Sequence, residues 1–340
     1  MSATQHSPRR IITPTTSTVD DERKLLRLQP VARPFFIDTD TASDDAVALI
    51  IALRHPDINV VGIGIVAGNV PLEMGVQNAL YTAEMCGSSV PIYSGARQPL
   101  VRELMTAQNV HGDDGMGDIG LPLRDRIPSE GTAVDALIAA ANAYAGELTL
   151  VTLGPLTNIA QALQRDPTLA TKIARCVVMG ASADHIGNVS PVAEFNMWCD
   201  PHAVEIVLKS GMNLEFVGWD ISRHYAAVSP EQARKIRDIG TPLAEFSIDI
   251  QRVLIEFCAK ETHVDGFDLP DPIAIAYAIN GNIATEFRDM FLAVETLSPL
   301  TLGMVVMDTL GVLHQVPNAR VVTRADSELF LSMLTDAMQD

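Results

Sequence analysis

The chain has 340 residues, 47% hydrophobic and 19% charged, which supplies a sizeable core and argues against global disorder. Its formal net charge of -18 repels phosphate backbones and anionic lipid, so neither nucleic acid nor a membrane is expected as a partner. Four cysteines, Cys86, Cys176, Cys199 and Cys258, lack zinc-site spacing and sit in or beside apolar stretches, as thiols do in a reducing cytosol.

Residues 1–34 are polar and rich in Ser, Thr and Pro, without an apolar run of signal-peptide type. They read as a disordered extension ahead of a single domain over 35–340. Nearly continuous apolar runs at 34–37, 58–66, 148–153, 175–179 and 214–219 predict strands buried on both faces. Helical spacing predicts helices at 44–53, 72–85, 133–144, 156–163, 201–209 and 230–239. The alternation means βαβ units and an open, mainly parallel but mixed, twisted β-sheet flanked by helices, Rossmann-like in type. Closer strands at 291–294, 302–306 and 320–323 predict hairpins or an antiparallel edge, and a helix at 327–338 closes the chain.

The stretch FFIDTDTASDDAVALI, residues 35–50, gathers Asp38, Asp40, Asp44 and Asp45 between the first strand and its helix. Open α/β sheets place ligands at that point. Helix capping explains one or two of these carboxylates. Four at close range repel unless a cation sits among them, and oxygen-only donors suit Ca²⁺ or Mg²⁺. An EF-hand loop fails, because Ala42, Ser43 and Leu49 occupy its required Asp/Asn, Gly and Glu places. A Mg²⁺-dependent phosphatase of the haloacid-dehalogenase type also opens on strand-DxD, yet here Ala42 replaces the usual Thr or Val and the pair Asp44-Asp45 has no use.

DTDTASDDA resembles the DxDxxxDDA signature of the inosine–uridine nucleoside hydrolase family. GIVAGNV (64–70), VHGDDGMG (110–117), LGPLTNIA (153–160), GNVSPVAEFNMWCDP (187–201), LPDPIAIAY (269–277) and LTLGMVV (300–306) resemble further family motifs, in family order. The resemblance implies the nucleoside hydrolase fold and hydrolysis of ribonucleosides to ribose and free base with a bound Ca²⁺. It also implies a homo-dimer or homo-tetramer. Carried over by position, Asp40, Asp45, Asp271 and the carbonyl of Leu153 would ligate the ion, with Asp38 in support. Asp40 would be the general base towards an ion-bound water. Asp44, about 100° around the helix from Asp45, would bind the ribose with Asn69, Met179, Asn188, Glu194 and Asn196. Asn158 reads as structural.

One departure stands out. The family's base-protonating His falls on Pro270, which has no proton to give. His111 matches a second family His and is the remaining leaving-group candidate, with His263 as a possible substitute. Trp198 and Trp219 could line either pocket or core. Because Pro270 removes one acid, a non-catalytic nucleoside- or ribose-binding module stands as an alternative, as does the phosphatase.

Overall fold

The computed structural model describes residues 32–262 and 265–339. The expected extension therefore lies, up to residue 31, outside the described residues, as does His263. Among the described residues the main sheet has eight strands: β1 (Arg33–Thr39), β2 (Ile58–Ile65), β3 (Ile92–Ser94), β4 (Thr149–Thr152), β5 (Arg175–Met179), β6 (Leu214–Val217), β9 (Ala284–Met290) and β12 (Ala319–Ala325). Their order is β3-β2-β1-β4-β5-β6-β12-β9. All neighbours pair in parallel except the β12–β9 edge, which is antiparallel. Two small ribbons stand apart: β7 (Ala227–Val228) with β8 (Phe267–Asp268), and β10 (Leu292–Val294) with β11 (Val305–Met307).

The strand order reverses between β1 and β4. Connections leave these two strands in opposite directions, so a crevice opens at their carboxyl ends. That crevice receives Asp40, just after β1, and Leu153, just after β4.

Alternation along β1 decides which side chain serves which layer. Phe35 and Ile37 join the core that contains the Ser43–Arg54 and Pro270–Ile279 helices, and Phe36 joins the opposite core with the Ala133–Ala143 and Thr157–Arg165 helices. The Ser43–Arg54 helix is apolar and buried from Ala46 to Ala52, as expected for a helix covered on all sides. Thr39 therefore faces the Ser43–Arg54 side and Asp38 the Thr157–Arg165 side. The hydrogen bonds agree: Thr39 Oγ1 donates to Asp45 Oδ1, and Asn158 Nδ2 donates to Asp38 Oδ2 at 2.8 Å.

Most predicted elements appear within a few residues of the expected bounds. The run at 214–219 is shorter than read: the strand ends at Val217 and Trp219 opens a helix, Trp219–Tyr225. Gly218 makes the break, and Trp219 N donates to Ala181 O rather than to a strand neighbour. The charged β9 edge and the Pro242–Asp249 and Arg252–Phe257 helices lack a reading at sequence level.

Asn158 ties the crevice floor together. Fully buried, it donates to Asp38 Oδ2 and the Ile65 carbonyl and accepts from Ala96 N at 2.8 Å. Asn158→Ala strands three buried polar groups and should lower stability by about 2–4 kcal/mol in urea unfolding; a loss under about 0.5 kcal/mol would contradict this role.

Candidate active site

The carboxylates converge because three chain segments end at the crevice. Asp40, Asp44 and Asp45 come from the β1 exit and the first turn of its helix. Asp271 comes from the first turn of the Pro270–Ile279 helix, where Pro270 suits the opening position. Oxygens of Asp44, Asp45 and Asp271 lie within 4.8 Å of one another, all three residues buried. Asp40 adjoins them, since the charges of Asp45 and Asp44 both act on it.

Asp40 is held on two sides by close backbone. A side chain at Gly68 would come within 2.2 Å of Asp40 Oδ2, and one at Gly154 within 2.7 Å of Oδ1. Only glycine lets the β2 and β4 exits approach this carboxylate. Its Oδ2 accepts from Asn69 N at 2.6 Å, while Oδ1 is buried without a partner. Asp45 Oδ2 accepts from Ala42 N at 2.9 Å and Asn69 Nδ2 at 3.2 Å. Asp44 Oδ1 is buried without a hydrogen-bond partner and lies 3.6 Å from His111 Nδ1.

The remaining expected residues divide into two groups. Asp44, Asn69, His111, Leu153, Met179, Asn188, Glu194, Asn196 and Asp271 line one cavity of ≈400 Å³. Asp38 does not join the Asp44–Asp45–Asp271 group; its carboxylate is engaged by Asn158 on the other side of β1, with Oδ1 unpartnered. Glu194 caps the Phe195–Cys199 helix, accepting from Asn196 N and Met197 N, and also accepts from Ala181 N. Asn196 Nδ2 donates to the Leu153 carbonyl at 2.6 Å. Sequence reasoning missed Ser43, whose Oγ lies 3.0 Å from His111 Nδ1. It also missed the far wall of the cavity: Arg223, Leu254, Phe257, Cys258 and Asp268. Trp219 lines that wall, whereas Trp198 stacks with Arg102 elsewhere, 3.9 Å from guanidinium to ring.

Burial dominates the electrostatics. It pushes Asp44 and Asp45 up to about 6, Asp45 helped by the charge of Asp44. Asp40 and Asp271 are driven well above the ordinary carboxylate range by burial and then by neighbouring Asp charges. Burial alone takes Asp38 to about 8 against the Asn158 bond, and lowers His111 to about 4. Such carboxylates ionise together only beside a positive charge. Unpartnered buried oxygens on Asp40 and Asp44, in an all-oxygen donor set, fit a hard divalent cation.

Comparison with known proteins agrees with this geometry. The sequence matches the family described as inosine-uridine preferring nucleoside hydrolase over residues 35–332. It is 36% identical over 311 residues to a pyrimidine-specific ribonucleoside hydrolase, RihA, of Salmonella paratyphi B, covering 91% of this chain and 99% of that one. The solved plant nucleoside hydrolase PpNRh1 superposes with TM-score 0.86 at 29% identity, covering 91% of this chain and 99% of that chain. A purine-preferring ribonucleoside hydrolase from Gardnerella vaginalis gives TM-score 0.83 at 29% identity over 90% of this chain and 98% of that one. A sheet of this order with an acidic nest at its switch point thus defines a nucleoside N-ribohydrolase, an enzyme. The chain belongs to the inosine-uridine preferring nucleoside hydrolase family, and the phosphatase and non-catalytic readings give way to it. Among the described residues no helix is long and apolar enough to cross a membrane.

The raised carboxyls give a signed prediction. In chelator, the native state keeps protons that the unfolded chain, with ordinary carboxylates, has released. Stability therefore falls as pH rises from about 5 to about 8, through the values near 6 and 8 given above. A divalent cation in excess should raise Tm more at pH 8 than at pH 5. Equal shifts at both pH values, or none, in scanning calorimetry would speak against a cation among these groups.

Proposed function

We propose that the protein hydrolyses the N-glycosidic bond of ribonucleosides with Ca²⁺ as its ion. Asp40, Asp45, Asp271 and the Leu153 carbonyl would hold it, with Asp38 in support behind β1. When bound, the ion supplies positive charge that makes water more acidic and grips a vicinal diol. The observation that carries the reading is the pair of buried, unpartnered oxygens, Asp40 Oδ1 and Asp44 Oδ1, beside the Asp44–Asp45–Asp271 group.

Asp40 takes the proton of the attacking water. Its Oδ2 is tied to Asn69 N, so Oδ1 is the oxygen left for that proton, and burial raises its proton affinity. Asp44, Asn69, Asn188, Glu194 and Asn196 surround the ribose, whose hydroxyls both donate and accept, and Met179 packs beneath it. The acidic nest stabilises the oxocarbenium-like sugar as the base departs. Single displacement by water inverts the anomeric carbon. On the leaving side Pro270 offers nothing. His111 is uncharged at neutral pH. If Ser43 Oγ donates to Nδ1, then Nε2 carries the ring proton and serves the base.

The cytosol is the compartment we assign, since the thiols of Cys86, Cys176 and Cys199 suit a reducing environment. We assign a homo-dimer or homo-tetramer too: exposed Leu297, Leu300, Leu310, Val312 and Val316 offer apolar surface for a second copy. The salvage or breakdown of nucleosides is the corresponding role.

Reducing-sugar release from inosine, guanosine, adenosine, uridine and cytidine tests the activity. Asp40→Ala should cut kcat about 1,000-fold, within the range for loss of a general base, with folding retained by circular dichroism; wild-type-like turnover would remove Asp40 from that role. His111→Ala should cost natural nucleosides about tenfold more than p-nitrophenyl riboside, whose leaving group needs no proton. Equal losses on both would remove His111 from the leaving-group side.

A further inference from the structure

The far wall of the cavity carries one carboxylate that the chemistry above does not use. Asp268 ends β8, in the ribbon beside the Trp219–Tyr225 helix, and lines the cavity with Trp219 and Arg223. Its Oδ2 accepts from Ser222 Oγ at 2.6 Å. The Arg223 guanidinium, paired with Asp184, supplies positive charge nearby, 4.5 Å from the centre of the Trp219 ring. The carboxylate is thus held by the hydroxyl of Ser222, a residue of that helix. It does not serve the helix that follows: Leu269 holds the cap position there and no side-chain cap is present.

The surrounding wall is otherwise mostly apolar. Leu254, Phe257, Val110 and Val189 line it. A flat heterocycle entering this slot meets few polar partners, and a pinned acceptor among apolar groups is a discriminating feature. Ser222 O–H donates to Asp268 and Arg223 adds positive charge, but burial outweighs both and raises the carboxyl above the ordinary carboxylate range. With one oxygen held by a donor hydroxyl, the carboxyl group presents an acceptor at the cavity wall.

We propose that Asp268 is a specificity determinant that accepts a hydrogen bond from an N–H on the edge of the bound base. The substrate class is ribonucleosides whose base carries such a donor, either a lactam N–H, as in inosine and uridine, or an exocyclic amine, as in adenosine and cytidine. Purine riboside and 2-pyrimidinone riboside carry neither and leave the carboxylate facing a lone pair or a C–H. A buried partner left without its hydrogen bond is costly. The inference rests on the ribohydrolase reading and extends it to the leaving group.

The test uses Ca²⁺-loaded enzyme and compares kcat/KM for an N–H base with that for its donor-free parent. The pairs are inosine and adenosine against purine riboside, and uridine and cytidine against 2-pyrimidinone riboside. Intrinsic leaving ability cancels when the ratio in a variant is divided by the wild-type ratio. Asp268→Ala should lower that ratio about tenfold or more. Asp268→Asn, which keeps the volume and drops the charge, should shift it the same way and guards against a folding defect in the alanine variant. Equal proportional losses on every riboside would reduce Asp268 to a structural support of the β8 turn and overturn the proposal. An unchanged ratio would overturn it too. A wild-type protein that releases no ribose from any riboside, p-nitrophenyl riboside included, would instead refute the activity itself.

Discussion

Four carboxylates are forced out of water at one place, where β1 ends and the Ser43–Arg54 and Pro270–Ile279 helices begin. In so little solvent, like charges at a few ångströms repel strongly. The cation-free nest answers by holding protons, which is why Asp40, Asp44, Asp45 and Asp271 all sit above their ordinary range. Much of the nearby structure serves to keep these groups facing one another. Gly68 and Gly154 let two strand exits close on Asp40. Thr39, Ala42 N and Asn69 fix Asp45. A fold that spends this much on charge repulsion gains from it only when a cation enters.

The topology divides the work of the cavity. The parallel sheet and its switch point build the acidic end, from residues at the exits of β1, β2, β4 and β5. The far end comes from outside the sheet: the Trp219–Tyr225 helix, the β7–β8 ribbon and the Arg252–Phe257 helix. The sheet end is packed between two cores. The peripheral elements can vary without disturbing the nest. Proteins similar to this one include a purine-preferring enzyme by structure and a pyrimidine-specific one by sequence, which suits such a division.

The fold was legible because buried parallel strands write themselves as continuous apolar runs, as residues 175–179 do, and because helical spacing marks the helices, as at 72–85; both match observed elements end to end. The acidic nest was legible from DTDTASDD, since nothing but chemistry gathers four carboxylates after a buried strand. Three features were less so. Strand alternation turns Asp38 towards Asn158 and away from the group, because β1 runs on to Thr39, past the Ile37 at which the apolar run ends. Glu194 looks like a solvated loop residue in sequence, yet it is a buried cap. The far wall was unreadable: Trp219 looked like the end of a strand, and Asp268 stands three residues ahead of Asp271 in a run whose meaning seemed exhausted by it. The pairing of β7 with β8 brings Asp268 against Ser222.

The most direct measurement is a crystal structure grown with Ca²⁺, read by anomalous scattering. The account predicts one ion within bonding distance of Asp40, Asp45, Asp271 and the Leu153 carbonyl, with all three carboxylates ionised around it. Carboxyls paired with one another through shared protons, and no anomalous peak between them at millimolar Ca²⁺, would contradict it.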